Sequence, residues 1–186
     1  MAEITITKKI EELQQIFDRI NKVFYVTTPN TAMVDLTTFD IELPVISDGV
    51  TFDMGSPDVT RVRLTTRQLW TSMAELGDPD ISFQVSSVSE EISSMFMSKV
   101  GAVSQTSTVG GISFSGAGYD MTAKKVNGGL YLLSDDEKNA IFMPNVEMYG
   151  SLIVEQGSVP SYFNVQVTPL PSEEGQIIIL KKVVTP

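Results

Sequence analysis

Two periods of apolar residues run along this chain, one after the other. Over residues 7–25, Ile10, Leu13, Ile16, Phe17, Ile20, Val23 and Phe24 recur at helical spacing with Lys, Glu and Gln elsewhere, which predicts an amphipathic helix. Its apolar stripe needs a partner surface, either the chain's own sheet or another protein. TTPNT at 27–31 ends the helix, because a residue before proline is pushed out of helical space. From residue 33 the period is two. Residues 33–45 read as a strand, with Val34 and Leu36 inward and, after a slip of phase near Thr37 and Thr38, Phe39, Ile41 and Leu43. The next stretch, VISDGVTFDMGSPD at 45–58, carries DG, GS and SP punctuation and is expected to be a long, acidic, exposed excursion.

Residues 59–100 stand at the centre of the pattern. Alternation places Val62 and Leu64 on one face with Trp70, the only tryptophan, and Arg61, Arg63, Thr65 and Arg67 on the other. Trp70 is thereby assigned to the core. After GDPD, Ile81, Phe83 and Val85 alternate with Ser82, Gln84 and Ser86 as a half-buried strand. Ser87 and Glu90 form a capping-box pattern ahead of a helix striped by Ile92, Met95 and Phe96, with Gly101 as its stop.

Residues 102–118 are rich in Gly, Ser and Thr, and a strand is expected over 112–122. NGG at 127–129 signals a turn, Leu130, Tyr131, Leu132 and Leu133 a buried strand, and SDDEK a solvated turn. Ile141 and Phe142 lead to Pro144 and Asn145, after which Val146, Met148, Leu152 and Val154 fall in phase on one face. Phe163, Val165 and Val167 follow, then TPLPSEEG as a turn, then 177–184 as a strand buried on both faces. Short strands, two helices and no strand–helix alternation predict a mainly β fold: a two-sheet antiparallel β-sandwich or barrel with one or two flanking α-helices.

Composition narrows the chemistry. At 186 residues the chain is read as one compact unit able to bury about 70% of the surface of its unfolded form. It has no cysteine and no histidine, which removes disulfides, thiolate chemistry, the usual neutral-pH base and the commonest metal ligand. GGISFSG and VNGG lack the GK[ST] ending of a phosphate loop. The close carboxylates Asp78 with Asp80 and Asp135 with Asp136 fit turns better than a glycosidase pair, and neither has the spaced ligands of a calcium hand. No enzyme activity, cofactor or metal is therefore assigned. The start, MAEITITKK, lacks a signal-peptide core and no run reaches the roughly 20 apolar residues of a membrane span, so synthesis in the cytoplasm is expected. The net charge of −10 is uneven: six acids and no base lie between Lys22 and Arg61, and five more acids between Arg67 and Lys99. That balance opposes a grip on nucleic acid.

The order of these parts carries a resemblance. A strand entering a long acidic hairpin, then GDPDISFQV and a capped helix, then NAIFMPNVEMYGSLIVEQGSVPSYFNVQVTPL as a closing meander, resembles the tail tube (major tail) proteins of long-tailed bacteriophages over about residues 33–171. The amino-terminal helix departs from that pattern, so residues 1–30 are set apart as helix and linker and 31–186 as the β-sandwich domain. The resemblance implies a structural protein of the virion tail that forms hexameric rings, stacked into a tube through which DNA passes without specific binding. It also implies a tape measure protein and other tail or baseplate proteins as partners. Under that reading the acids Asp40 and Glu42, then Glu147 and Glu155, are lumen candidates that repel phosphate. Ser47, Asp48, Phe52, Asp53, Met54 and Asp58 of one copy are candidates to meet Arg61, Arg63 and Arg67 of the next, because guanidinium forks engage carboxylates with two bonds. A solvated strand face accounts for the same arginines. The alternative reading is a small β-sandwich binding module, an adhesin or carbohydrate-binding domain.

Overall fold

The computed structural model describes residues 17, 19–33, 36–109, 112–154 and 160–182. Twelve strands and one helix are found among them: β1 (Ile20–Val26), β2 (Ile41–Leu43), β3 (Val45–Asp53), β4 (Pro57–Arg63), β5 (Leu69–Leu76), β6 (Asp80–Val85), α1 (Glu90–Phe96), β7 (Ser98–Val109), β8 (Ile112–Asp120), β9 (Lys125–Ser134), β10 (Asn139–Ile153), β11 (Tyr162–Pro169) and β12 (Ile178–Lys181). Eight of the strands build one antiparallel, nearly closed sheet in the order β2-β1-β9-β10-β11-β6-β3, with β12 laid on β10. The other four form two separate hairpins, β4–β5 and β7–β8. The mainly β, barrel-like class expected from the sequence is therefore the class observed.

Alternation builds the core where each strand has a neighbour on both sides. Ile81, Phe83 and Val85 of β6, Leu130 and Leu132 of β9, and Phe163, Val165 and Val167 of β11 all point into one buried cluster. β10 keeps its apolar residues inward from Ala140 to Met148 only by slipping phase. Met143 pairs with Leu130 but Val146 with Gly128, so Pro144 and Asn145 share one opposing residue in a bulge. Proline suits that place because a bulge leaves an N–H unpaired in any case. The helix closes the barrel: Ile92 and Phe96 are buried, and the Phe96 ring lies 5.5 Å from that of Phe163. Gly150 makes this possible, since a Cβ there would stand 2.6 Å from Phe96 Cγ.

Several expectations are corrected. The helix read over 7–25 does not include its last turns: Ile20–Val26 is β1, paired with β9 through Val23↔Leu132 and Tyr25↔Leu130. Ile20, Val23 and Phe24 satisfy a helical spacing, but a sheet edge waiting at β9 outweighs it. Residues 7–16 and 18 of that helix lie outside the described residues. The acidic excursion at 45–58 is β3 followed by the start of β4, and β3 pairs with β6 through Phe52↔Ile81. Among the described residues of 33–45, strand is found only at Ile41–Leu43 and at Val45, where β3 begins. The NGG turn is no turn: Asn127, Gly128 and Gly129 lie within β9. There the glycine answers to space, because a Cβ on Gly128 would sit 2.3 Å from the Val26 carbonyl oxygen and 2.4 Å from the Tyr25 ring. The Tyr25 hydroxyl donates to the Asn127 carbonyl at 2.7 Å across the same gap.

Helix α1 is capped by Ser89, whose hydroxyl accepts from the Ile92 N–H at 3.4 Å, and not by Ser87, which accepts from the Ser89 N–H. It ends at Phe96, before Gly101, which belongs to β7. Leu152 and Val154 are exposed, unlike Val146 and Met148 in the same run. β12 is half-exposed, with Ile179 open to solvent, because it covers only the free flank of β10 and has no layer above it.

Candidate functional site

One feature that the barrel does not explain is the β4–β5 hairpin. It leaves the barrel at a pinch: Gly55 has φ +79°, a Cβ there would meet the Gly77 carbonyl at 2.6 Å, and the Gly77 N–H donates to Ser56 O at 3.1 Å. Beyond the pinch the strands pair only with each other, from Pro57↔Leu76 to Arg63↔Leu69, and every residue of both is exposed. Its tip is a three-residue loop, Thr65, Thr66 and Arg67. The Arg67 N–H donates to Leu64 O at 2.8 Å, the Leu64 N–H to Gln68 O at 2.9 Å, and Arg67 takes the left-handed φ of +66°. This is a type I turn completed by a left-handed residue, a common three-residue hairpin closure.

The turn overturns the continuous strand read over 59–70 and, with it, the core position of Trp70. Trp70 is 68% exposed, and Val62 and Leu64 are exposed too. It is the extra residue of a bulge, since Val62 pairs with Thr71 and Arg63 with Leu69. Along the arm Val59, Leu69, Met73 (60%) and Leu76 (62%) also lie open. A lone two-stranded hairpin is marginal in water, and a run of exposed large apolar side chains on one marks a surface meant to be covered.

Charge on the arm is sorted by position. Arg61, Arg63 and Arg67 stand toward the tip; Arg63 Nη1 donates to Arg67 O at 3.1 Å, and among the described residues none of the three makes an ion pair. Exposed carboxylates gather at the neck, where Asp53 lies directly opposite Asp80 and Asp58 directly opposite Glu75. Asp53 also accepts from the Gly55 N–H at 2.9 Å. Among the described residues no three acids are placed to share one metal ion.

No family model, curated protein or solved structure matches this chain. Nor is any helix among the described residues long and apolar enough to cross a membrane.

The remaining residues singled out in the sequence are dispersed. Ser47 and Asp48 fall in the irregular part of β3, between the Val45↔Val85 and Val50↔Phe83 pairings. Phe52 packs against the core, whereas Met54 is exposed at the foot of the arm. Asp40 accepts from the Thr27 N–H at 2.7 Å and its hydroxyl at 2.8 Å, and those two bonds hold its carboxyl below the ordinary value. It is thus tied to the β1–β2 turn. Glu42 is exposed on β2 opposite Phe24. Glu147, on β10, is paired with Lys125 at 2.7 Å, which offsets part of its charge. Glu155 lies outside the described residues. Asp40 and Glu42 on the β2 edge and Glu147 on β10 are therefore separated by β1 and β9 in the sheet.

A second aromatic cluster, reaching from the surface at Phe39 to the fully buried Phe142, was not read from the sequence. Phe24, Phe39, Tyr131 and Phe142 form a chain of rings outside the main core, with Phe24 and Phe39 stacked at 4.7 Å and Phe39 and Tyr131 at 5.0 Å. The unbroken apolar run from Leu130 to Leu133 hinted at two apolar faces, but only the folded structure shows which rings meet.

Proposed function

We propose that this chain is a structural protein of a phage tail, assembling through its β4–β5 arm into rings that stack as the tube through which DNA passes. The observation that carries the reading is the arm itself: a hairpin with Trp70, Met73 and Leu76 open to solvent, standing off a barrel whose core is complete without it. Such an arm adds no residue to the core cluster of its own copy, so its apolar residues fit a surface supplied by another. The hexameric number, the tape measure protein and the baseplate partners come with the family resemblance. The net charge of −10 per chain is compatible with a wall that repels phosphate, and six copies in a ring would multiply it.

One observation favours a binding module instead. Trp70 is the kind of exposed aromatic platform that glycan recognition uses, and its position on a protruding arm makes it reachable. Negative-stain imaging with light scattering, on the purified chain over rising concentration, separates the two. Rings or tubes are the expected result; a persistent monomer that binds immobilised glycans through Trp70 would replace this reading with the second.

A further inference from the structure

The arm's charges are arranged at a cost that one copy cannot recover. Like charges directly opposite each other across a strand pair are destabilising, and the neck holds two such pairs in succession, Asp53 with Asp80 and Asp58 with Glu75, with Asp78 between β5 and β6. Toward the tip the sign reverses: between residues 59 and 74 the charged residues are Arg61, Arg63 and Arg67 and no acid. The arm cannot neutralise itself. Arg61 and Asp58 are three residues apart on one strand and so point to opposite faces, while Arg63 stands about 17 Å along the strand from Asp58. The rest of the molecule gives the tip no partner either, since the ion pairs among the described residues use lysines alone.

We infer that the arginine tip of one copy's arm seats on the carboxylate neck of the next copy's arm, joining copies head to tail. The inference rests on the assembly reading and names its contact. Planar guanidiniums fit it, because each can span two carboxylate oxygens and the neck offers its carboxylates in facing pairs. Trp70, beside the arginines at the tip, would be carried into the same contact and shielded there. Tip and neck are different surfaces, so the contact is heterologous: it repeats from copy to copy, closing as a ring where the rotation allows. The same pairing removes the like-charge repulsion that the neck bears in the free chain.

A charge exchange tests this. One full-length variant reverses the tip (Arg61→Glu, Arg63→Glu, Arg67→Glu) and another the neck (Asp58→Lys, Glu75→Lys, Asp78→Lys). Each alone is expected to remain monomeric at concentrations where the natural chain assembles, with circular dichroism unchanged. Mixed in equal amounts, or combined on one chain, they are expected to regain the natural chain's assembled mass by light scattering. Monomers in both the mixture and the combined variant, with folding intact, would overturn the tip-to-neck contact while leaving assembly itself standing. So would neck reversal that leaves assembly untouched, or a natural chain that stops at a two-fold dimer. A natural chain that never assembles would remove the assembly reading and this contact together. Should the reversed variants misfold, the milder pair Asp58→Asn and Glu75→Gln decides the matter: relief of repulsion should raise the melting temperature by about 1–3 °C while assembly weakens at least tenfold. Unchanged assembly there contradicts the contact.

Discussion

The barrel and the β4–β5 arm are written in the same alphabet and come to opposite ends. Both alternate large apolar residues with polar ones, yet Phe83 is 1% exposed and Trp70 68%. What differs is the company each strand keeps. β6 has β3 on one side, β11 on the other and a packed interior beneath it, whereas β5 has β4 and nothing else. Period-two patterning therefore specifies a strand and its faces, and leaves open whether its own chain or another covers them. The arm is the place where, on the assembly reading proposed above, that question is left to a partner.

The sharpest contrast is between two aromatic truncations. Phe163→Ala, in the barrel, removes a fully buried ring that packs on Phe96 and should cost about 3–5 kcal/mol, enough to unfold much of the population in a thermal or urea melt. Trp70→Ala, in the arm, should change the monomer by no more than about 0.5 kcal/mol yet sharply weaken assembly. Equal losses of monomer stability at the two sites would erase the distinction. Next in size is Gly128→Ala. The added Cβ collides with the Val26 backbone and the Tyr25 ring, so β1 must shift from β9, at about 1–3 kcal/mol by the same melts.

How much of this was legible in the sequence follows the same division. β6 and β11 could be read because their alternating residues meet one uniform interior, and the turn at 135–138 because its charges have nowhere else to go. β1 could not, since Ile20, Val23 and Phe24 fit the helical period and only pairing with the distant β9 makes the segment a strand. NGG failed as a turn signal for a related reason: a remote tyrosine ring claims the space a side chain would take. Of the candidate site, the exposed arginines were visible in the pattern, but Trp70 was misplaced because the turn at Thr65 to Arg67 lacks the usual glycine or asparagine. The facing carboxylates at the neck depend on strand register, which residue order alone does not reveal.

A smaller effect separates the barrel's turns, whose acids are held by hydrogen bonds and ion pairs, from the arm, whose charges form no ion pair among the described residues. Thr27 holds the Asp40 carboxyl below its ordinary value, the Ser134 hydroxyl does the same for Asp136, and Lys22 for Glu137. Groups so depressed stabilise the fold above their unfolded pKa values, and that stability is lost as pH falls through the folded ones. Monomer melting temperature should therefore decline below about pH 4. Asp40→Asn should flatten that decline.

The most direct test of the arm as an assembly element uses the fact that Trp70 is the only tryptophan in the chain. Its emission, with acrylamide quenching, can be followed from dilute monomer to assembled particles. The monomer should emit as solvent-exposed indole and quench freely; on assembly the emission should shift to the blue and quenching fall several-fold. Particles whose tryptophan stays red-shifted and freely quenched would show that the arm is not what joins the copies.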